Sequence, residues 1–219
     1  MGKVDVYIGN YLLIDEVTPE ESERLASNAC IVGMPVTMSY DDETETFTVS
    51  NQDGASIGIV HPKNKMVLRN ALENGWTCKC WLSLVYYNND DKVFKGEIVY
   101  QFYNVKPTQT KEQQALDSFA EKTSERLASG KRPNVTLTGT GYDQVIETGD
   151  WTDANDVPLP FSTKRGTGNV VFKRKRSTAD KLALAAMANK PGCRIATYAV
   201  LLVIVLVVLF FVWRCATGA

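Results

Sequence analysis

A long uncharged apolar run near the C-terminal end constrains this chain more than any other feature. Residues Ile195–Trp213 (IATYAVLLVIVLVVLFFVW) carry no charge, and as a helix they would extend about 28 Å. A bilayer has a hydrocarbon core of about 30 Å, whereas the buried helices of soluble proteins are uninterruptedly apolar over only about 14 residues. We therefore predict a single transmembrane helix at 195–213, followed by a short tail at 214–219.

The charges on either side of this run predict its orientation. Residues 164–194 contain nine basic residues and one acidic residue, and beyond the run the one charged side chain is that of Arg214. Lys and Arg beside a span favour the cytoplasmic side. The N-terminus MGKVDVYIGN lacks the features of a signal peptide. We therefore expect a tail-anchored protein whose N-terminal part is cytoplasmic and whose C-terminus lies on the opposite side of the membrane.

The bases before the span form a neck that can hold the chain against anionic lipid. Each Lys or Arg close to such a surface contributes about 1 kcal/mol of attraction. The residues that we expect at the membrane surface are Lys173, Arg174, Lys175, Arg176 and Arg194. Residues 1–162, by contrast, hold 14 bases and 24 acids, a net charge of −10. Such an acidic head disfavours a nucleic acid as its partner.

Residues 1–106 have the pattern of one α+β domain. Thr18-Pro19-Glu20-Glu21 predicts a helix start, because it combines a capping Thr, a Pro in the first turn and two acids. Alternating β-rich segments predict strands, and Gly75 is expected to end a second helix. The predicted strands lie within 4–14 and at 34–40, 45–50, 55–60, 76–87 and 93–105, and the predicted helices lie at 18–29 and 63–74. This order predicts a small β-barrel or rolled antiparallel sheet with one or two helices, followed by a linker and the transmembrane helix.

The pattern changes after residue 106. In region 107–138 we predict a polar helix at Thr110–Ser129, which either packs on the domain or extends from it. Val135–Leu137 is a candidate for an extra strand. Region 139–176 is rich in Gly, Thr, Asp and Pro, so we predict an irregular linker that includes the start of the basic neck and returns to the domain through Trp151. A short juxtamembrane helix is expected at 177–190.

Catalytic signals are weak. His61 is the one histidine and lies in a His-Pro turn, so a nucleophile–histidine pair would depend on it alone. Neither Gly139-Thr140-Gly141 nor Gly166-Thr167-Gly168 is followed by the Lys-Ser/Thr of a phosphate loop. We therefore expect no enzyme activity, no cofactor and no metal site, and an enzyme that uses His61 or the Asp/Glu loops is kept as an alternative.

The five cysteines indicate a reducing compartment. Cys78 and Cys80 share one face of a predicted strand. We expect both to be small buried residues whose side chains diverge too far to form a bond.

Residues 34–103 resemble a known domain family. The order is a strand, the turn Asn51–Gly54, the segment Ile57–Val60 with His61-Pro62, a helix to Leu72, Gly75 and a long strand. It is similar to that of HIRAN domains. The resemblance implies a small β-barrel with accompanying helices and, by analogy with the HIRAN domains of DNA-repair helicases, a site for the end of a single strand of DNA.

The sequence departs from the family pattern in one loop. Asp41-Asp42-Glu43-Thr44-Glu45 stands where the family has its Asn/Pro-rich loop, and its four acids would repel phosphate. If nucleic-acid binding is retained, bases would contact phosphate and aromatic rings would stack on nucleobases. The candidate contacts are Lys63, Lys65, Arg69 and Lys79, with Tyr40 or Trp76 as the stacking face.

Two functions follow as hypotheses. The first is a membrane-tethered, cytoplasmic and non-catalytic module that recruits a protein partner or a nucleic acid to the membrane surface. The second keeps the role implied by the HIRAN resemblance, in which the head holds a single-stranded nucleic-acid end at a membrane surface.

Overall fold

A computed structural model of the chain describes residues 6–88, 90–106, 108–151, 156–160 and 170–172. These described residues form seven strands and four helices. In chain order they are β1 (Tyr7–Leu13), α1 (Pro19–Ala26), β2 (Pro35–Asp41), β3 (Thr46–Ser50), β4 (Ser56–Val60), α2 (Lys65–Glu73), β5 (Thr77–Asn88), β6 (Val93–Tyr103), α3 (Thr110–Ala128), α4 (Gly139–Thr148) and β7 (Val170–Phe172).

The strands pair antiparallel in the order β1-β6-β5-β2-β3-β4, and β7 pairs with β5 at Val85–Tyr87. The residues that follow β1 hydrogen-bond to β4, the strand at the other end of this order. The N–H of Asp15 donates to the carbonyl of Ile59 over 3.0 Å, and the N–H of Ile59 donates to the carbonyl of Glu16 over 2.9 Å. The predicted α+β class, an antiparallel sheet accompanied by helices, is therefore confirmed.

Local sequence signals explain where the first two helices begin and end. At the start of α1 the Thr18 hydroxyl accepts from the N–H of Glu21, and the Glu21 carboxylate accepts from the N–H of Thr18 over 2.8 Å. This reciprocal pair is a capping box, and it satisfies two N–H groups that the helix itself cannot bond. After α2 the chain passes through Gly75 at φ 68°, a conformation that costs glycine little. Both predictions are confirmed.

The sheet has two apolar faces. On the face that α3 covers, which we call the α3 face, the strands contribute Tyr7, Trp81, Val99 and Tyr103 to one core cluster. Helices α3 and α4 contribute Leu116, Phe119, Ala120, Leu127 and Val145 to the same cluster. Because side chains alternate along a strand, the fully buried Leu82, Ile98 and Phe102 lie on the opposite face. Thus α3 packs on the sheet, and the alternative in which it extends into solvent is wrong.

Two predictions for the region after α3 are wrong. Val135–Leu137 forms no strand, and it lies against β1 through side-chain bonds instead. The Tyr7 hydroxyl donates to the carbonyl of Val135 over 2.9 Å, and the Thr136 hydroxyl donates to the carbonyl of Gly9 over 3.1 Å.

Residues 139–148, predicted as irregular linker, form α4. Its Val145 is buried in the core cluster and Tyr142 packs against that cluster, so tertiary contact overrides the poor helix propensity of Gly and Thr. Trp151 does return to the domain as predicted, because its carbonyl accepts from Arg126 over 3.0 Å.

The described residues all belong to one compact unit. The part of the chain that the structure describes contains no helix long and apolar enough to cross a bilayer. The predicted membrane helix 195–213 and juxtamembrane helix 177–190 lie outside the described residues, as do Lys173, Arg174, Lys175, Arg176 and Arg194.

Candidate functional site

The first strand leaves one edge of the sheet open. The N–H of Asn104 donates to the carbonyl of Val6, and the N–H of Ile14 donates to the carbonyl of Gly96. Directly opposite pairs in an antiparallel ladder alternate between hydrogen-bonded and non-hydrogen-bonded pairs. These two bonds therefore show which residues of β1 bond to β6 and which do not. By this alternation Gly9, Tyr11 and Leu13 direct their N–H and carbonyl groups away from β6, towards the free edge.

Neighbouring side chains use only part of this edge. Thr136 bonds the carbonyl of Gly9, and the Asn10 side-chain oxygen accepts from the N–H of Tyr11 over 2.8 Å. By the same alternation the carbonyl of Tyr11 and the N–H and carbonyl of Leu13 lie on this edge, and the consecutive residues Asn10–Leu13 line the adjacent cavity. Among the residues that the structure describes, no hydrogen bond to these groups of Tyr11 and Leu13 is found.

Three adjoining cavities follow β1 and form what we call the β1 groove. The first has a volume of about 440 Å³ and lies between Asn10–Leu13, His61–Asn64 and the segment 157–160. The second, of about 350 Å³, extends from Tyr7–Asn10 to Thr136–Gly139. The third, of about 510 Å³, is lined by Ile8, Val67, Ala71 and Trp76 together with three asparagines.

Asn64 lines all three cavities. It occupies the N-cap position of α2, but its side chain makes no cap hydrogen bond. Instead, Asn64 hydrogen-bonds the phenol of Tyr100, a nearly buried residue that lines the first and second cavities. Burial raises the pKa of Tyr100 and the Asn64 bond opposes that shift, so Tyr100 stays a neutral phenol at physiological pH. A polar but uncharged junction therefore joins the three cavities.

A buried ion pair borders the first cavity. The Arg132 guanidinium donates to both oxygens of Glu97, over 2.6 and 3.1 Å, and its centre lies 4.7 Å from the Tyr11 ring centroid. Glu97 also accepts from the Ser83 hydroxyl over 2.5 Å. Ser83 is the extra residue of a β-bulge between Leu82 and Leu84, and such bulges redirect a side chain.

Arg132 also holds one wall of the first cavity. Its Nε donates to the carbonyl of Val157 over 3.1 Å, and the N–H of Val157 donates to the carbonyl of Arg132 over 2.7 Å. The ion pair thus attaches the segment 156–160 to the sheet. The two charges pair with each other inside the protein. We therefore assign the pair a structural role in the wall of the groove.

His61 and Lys63 are the other basic residues of the first cavity. His61 Nε2 lies 2.9 Å from the Glu16 carboxylate, and both side chains are at least half exposed. The described residues that line this cavity include no Ser, Thr or Cys, so no hydroxyl or thiol nucleophile of the Ser/Thr/Cys type stands beside His61.

Three of the six predicted nucleic-acid contacts come together away from the groove. Lys65 and Arg69 lie over the Tyr40 ring, 5.7 and 5.1 Å from its centroid. Lys65 pairs with Glu45 over 3.0 Å, and Arg69 pairs with Asp42 over 2.8 Å and with Glu73 over 2.6 Å. Acids from the Asp41–Glu45 loop therefore neutralise these bases, and their attraction for phosphate is weakened.

The other three predicted contacts are separated. Lys63 lines the first cavity and Trp76 lines the third. Lys79 is exposed on β5, and by strand alternation it lies on the opposite side of that strand from its neighbours Cys78 and Cys80. The six residues therefore do not form one site.

Sequence reasoning missed the residues that organise the groove, Asn10, Asn64, Tyr100, Glu97 and Arg132. One signal was available for Glu97, because it interrupts the strand pattern between Gly96 and the apolar pair Ile98-Val99. A carboxylate in a strand that is apolar on both faces needs a buried partner. The identity of that partner, 35 residues away, depends on the tertiary fold.

No protein-family model, curated protein or solved structure matches this chain.

Proposed function

We propose that this protein is a non-catalytic binding module held at a membrane surface, and that its β1 groove takes an extended peptide segment of a partner protein. The observation that carries the proposal is the outer edge of β1, where peptide groups of Tyr11 and Leu13 face away from β6 and both residues line a cavity. An added strand satisfies such groups with main-chain hydrogen bonds.

The cavities beside this edge would supply selectivity. Every second side chain of an added strand points to the same side. The cavities along β1 could therefore each bind one side chain of the peptide. The third cavity offers an apolar site for such a side chain between Val67, Ala71 and Trp76. Val67 and its neighbour Met66 are 49 and 62% exposed, so an apolar partner would remove them from water.

The strand order supports the proposal that residues 1–106 have a HIRAN-like barrel fold. The bonds between Asp15-Glu16 and Ile59 join the segment after β1 to β4, at the other end of the strand order. This contact resembles a partly closed small barrel, and the outer edge of β1 itself is not paired with β4. In this proposal the fold is HIRAN-like and the ligand is different, since a shared fold does not determine the ligand.

The peptide proposal is tested with the full chain in nanodiscs of zwitterionic lipid. Peptides selected from a random display library on this protein would be measured against Leu13→Pro and Leu13→Ala. The Pro variant removes a free-edge N–H without removing a bond to β6, and the Ala variant keeps that N–H. We expect Leu13→Pro to weaken binding about tenfold, the effect of about 1.4 kcal/mol, and Leu13→Ala to weaken it less. Equal affinity for both variants, with unchanged circular dichroism, would contradict strand addition.

A single-stranded nucleic acid is the second candidate, and the observation that favours it is the presence of Lys63, Tyr100 and Trp76 along one groove. Its test uses short single-stranded and duplex oligonucleotides, with free or blocked 3′ ends, at low and moderate salt. This candidate is favoured if binding requires a free 3′ end and weakens both with added salt and in the Lys63→Ala variant. Lys79→Ala is the matched control, because Lys79 lies outside the groove.

The membrane tether and the orientation are tested separately. We expect the full chain to stay in the membrane fraction after alkaline carbonate extraction, and a variant lacking residues 195–213 to be released. In sealed vesicles with the cytoplasmic face outside, added protease should remove the head. A head that the vesicle protects would reverse the proposed orientation.

A further inference from the structure

Two cysteine sulfurs lie in contact on the sheet. Cys78 and Cys80 are two residues apart on β5, and their Sγ atoms are 3.5 Å from each other. Both cysteines are free thiols, as predicted, and the expected burial holds fully for Cys80 and partly for Cys78. The predicted divergence of the side chains is wrong, because the two sulfurs are in contact. Residues i and i+2 of a strand share a face, and here the two side chains also turn towards each other.

The pair lies beside the β1 groove. Cys78 is opposite Phe102 in the β5–β6 ladder, and Phe102 is opposite Ile8 in the β1–β6 ladder. Ile8 lines the second and third cavities. Trp76, two residues before Cys78 in the chain, also lines the third cavity, so residues next to the pair along the chain and across the sheet belong to the groove.

A bond between the two sulfurs requires a local change in the backbone of β5. A strand rise of 3.2–3.4 Å per residue separates the Cα atoms of residues i and i+2 by about 6.4–6.8 Å. Disulfides span Cα separations of about 4.4–6.8 Å, with sulfurs about 2.05 Å apart. Closing the contact requires the sulfurs to approach by roughly 1.5 Å. Because the Cβ atoms of a disulfide lie about 3.5–4.5 Å apart, β5 must also bend locally at Lys79. The resulting bond would be strained, and strained disulfides are readily reduced.

We propose that Cys78 and Cys80 form a dithiol modification site that a low-molecular-weight disulfide, of the glutathione class, converts reversibly into an intrastrand disulfide. The Cys78 thiolate attacks one sulfur of the small disulfide, forms a mixed disulfide and releases one small thiolate. The Cys80 sulfur then attacks the Cys78 sulfur, the bond to the small group breaks, and the departing small thiolate takes the Cys80 proton and leaves as the second small thiol. Two protein thiols are oxidised and one small disulfide is reduced to two thiols, so electrons and protons balance.

The environments of the two thiols assign these roles. The hydrogen bond to Cys78, together with burial, raises the pKa of the Cys80 thiol. Cys80 therefore stays protonated and inaccessible to an external disulfide. Cys78 is partly exposed and is the sulfur that a small molecule can reach.

The experiment uses the full chain in nanodiscs, with Cys30→Ala, Cys193→Ser and Cys215→Ser so that the pair alone carries thiols. The protein is equilibrated with mixtures of reduced and oxidised glutathione, alkylated, and digested with trypsin. Trypsin cleaves after Lys79, between the two cysteines, into peptides 70–79 and 80–92. The proposal predicts that these two peptides become cross-linked as the mixture becomes oxidising, and that dithiothreitol separates them.

Two single variants test the order of the steps. Cys80→Ser should accumulate glutathione on peptide 70–79, because the resolving thiol is absent. Cys78→Ser should be modified at least about tenfold more slowly, because Cys80 is buried. The proposal is overturned if both peptides remain fully alkylated across the titration in the chain that retains both cysteines. It is also overturned if the two single variants, with unchanged circular dichroism, are modified at the same rate.

Discussion

Replacing Arg132 by Met tests the central support of the groove. The guanidinium makes two hydrogen bonds to Glu97 and one to the carbonyl of Val157, and the side chains of Arg132 and Glu97 are 9 and 4% exposed. Its loss would leave the buried carboxylate with the Ser83 hydroxyl as its remaining described side-chain donor. Removing one partner of a buried ion pair costs about 3–5 kcal/mol, a large fraction of a typical domain stability of about 5–15 kcal/mol.

The assay is urea unfolding of the chain in non-ionic detergent, followed by tryptophan fluorescence. With a denaturant slope of about 2 kcal/mol per molar, we expect the midpoint to fall by about 1.5–2.5 M. Arg69→Met is the matched control, because Arg69 also pairs with two carboxylates and lies over a tyrosine ring but is 35% exposed. Exposed pairs contribute about 1 kcal/mol or less.

A second arm measures the coupling between the two charges. The double variant Glu97→Leu/Arg132→Met removes both, so it should be more stable than Arg132→Met alone. The reasoning is refuted if Arg132→Met lowers the free energy of unfolding no more than Arg69→Met does. It is also refuted if the loss in the double variant equals the sum of the losses in Glu97→Leu and Arg132→Met.

Three further predictions concern the scaffold around the groove, and urea unfolding measures each. Thr18→Ala should cost about 1 kcal/mol because it breaks the capping box, whereas Thr138→Ala, at an N-cap without a side-chain cap bond, should cost less; equal losses would remove the cap as the cause. Gly58→Ala should cost at least about 1 kcal/mol more than Gly54→Ala, because a Cβ on Gly58 would lie 2.6 Å from the carbonyl oxygen of Glu16 while one on Gly54 meets nothing within 4 Å; similar losses would contradict this close approach. Burial raises the pKa of Glu21, but hydrogen bonds from Ser56 and Thr18 outweigh it and lower the pKa overall. The stability from Glu21 is therefore present above its unfolded pKa and is lost as the pH falls through the folded value, so the stability difference between the wild type and Glu21→Gln should shrink between about pH 6 and pH 3; a constant difference would contradict the assignment.

Most elements were predictable where the signal is local. The capping box at Thr18, the glycine at Gly75 and the alternation along β5 and β6 each act within a few residues, so the sequence is sufficient to predict α1, the end of α2 and the long hairpin. Helix α4 was missed because Gly139, Thr140 and Gly141 have poor helix propensity, and the contacts that stabilise it come from distant residues.

The candidate site was predictable only in fragments. The sequence pointed to Lys63 and Trp76, which line the groove, but also to Lys65, Arg69 and Tyr40, which the structure gathers at a separate, neutralised cluster. The acids of the Asp41–Glu45 loop were expected to repel phosphate, and their pairing with these bases adds a second reason for weak phosphate binding.

By itself, the sequence determined the uncharged run at 195–213, the separation of an acidic head from a basic neck, and an α+β pattern of strands and helices. These properties are net charges of a segment or patterns among neighbouring residues. They can therefore be derived without knowing which distant residues are in contact. Tertiary structure alone decided the Glu97–Arg132 pair, the junction at Asn64 and the contact between two sulfurs. Each of these depends on strand register, side-chain rotamer or packing between distant segments, which are set by the burial of the whole core.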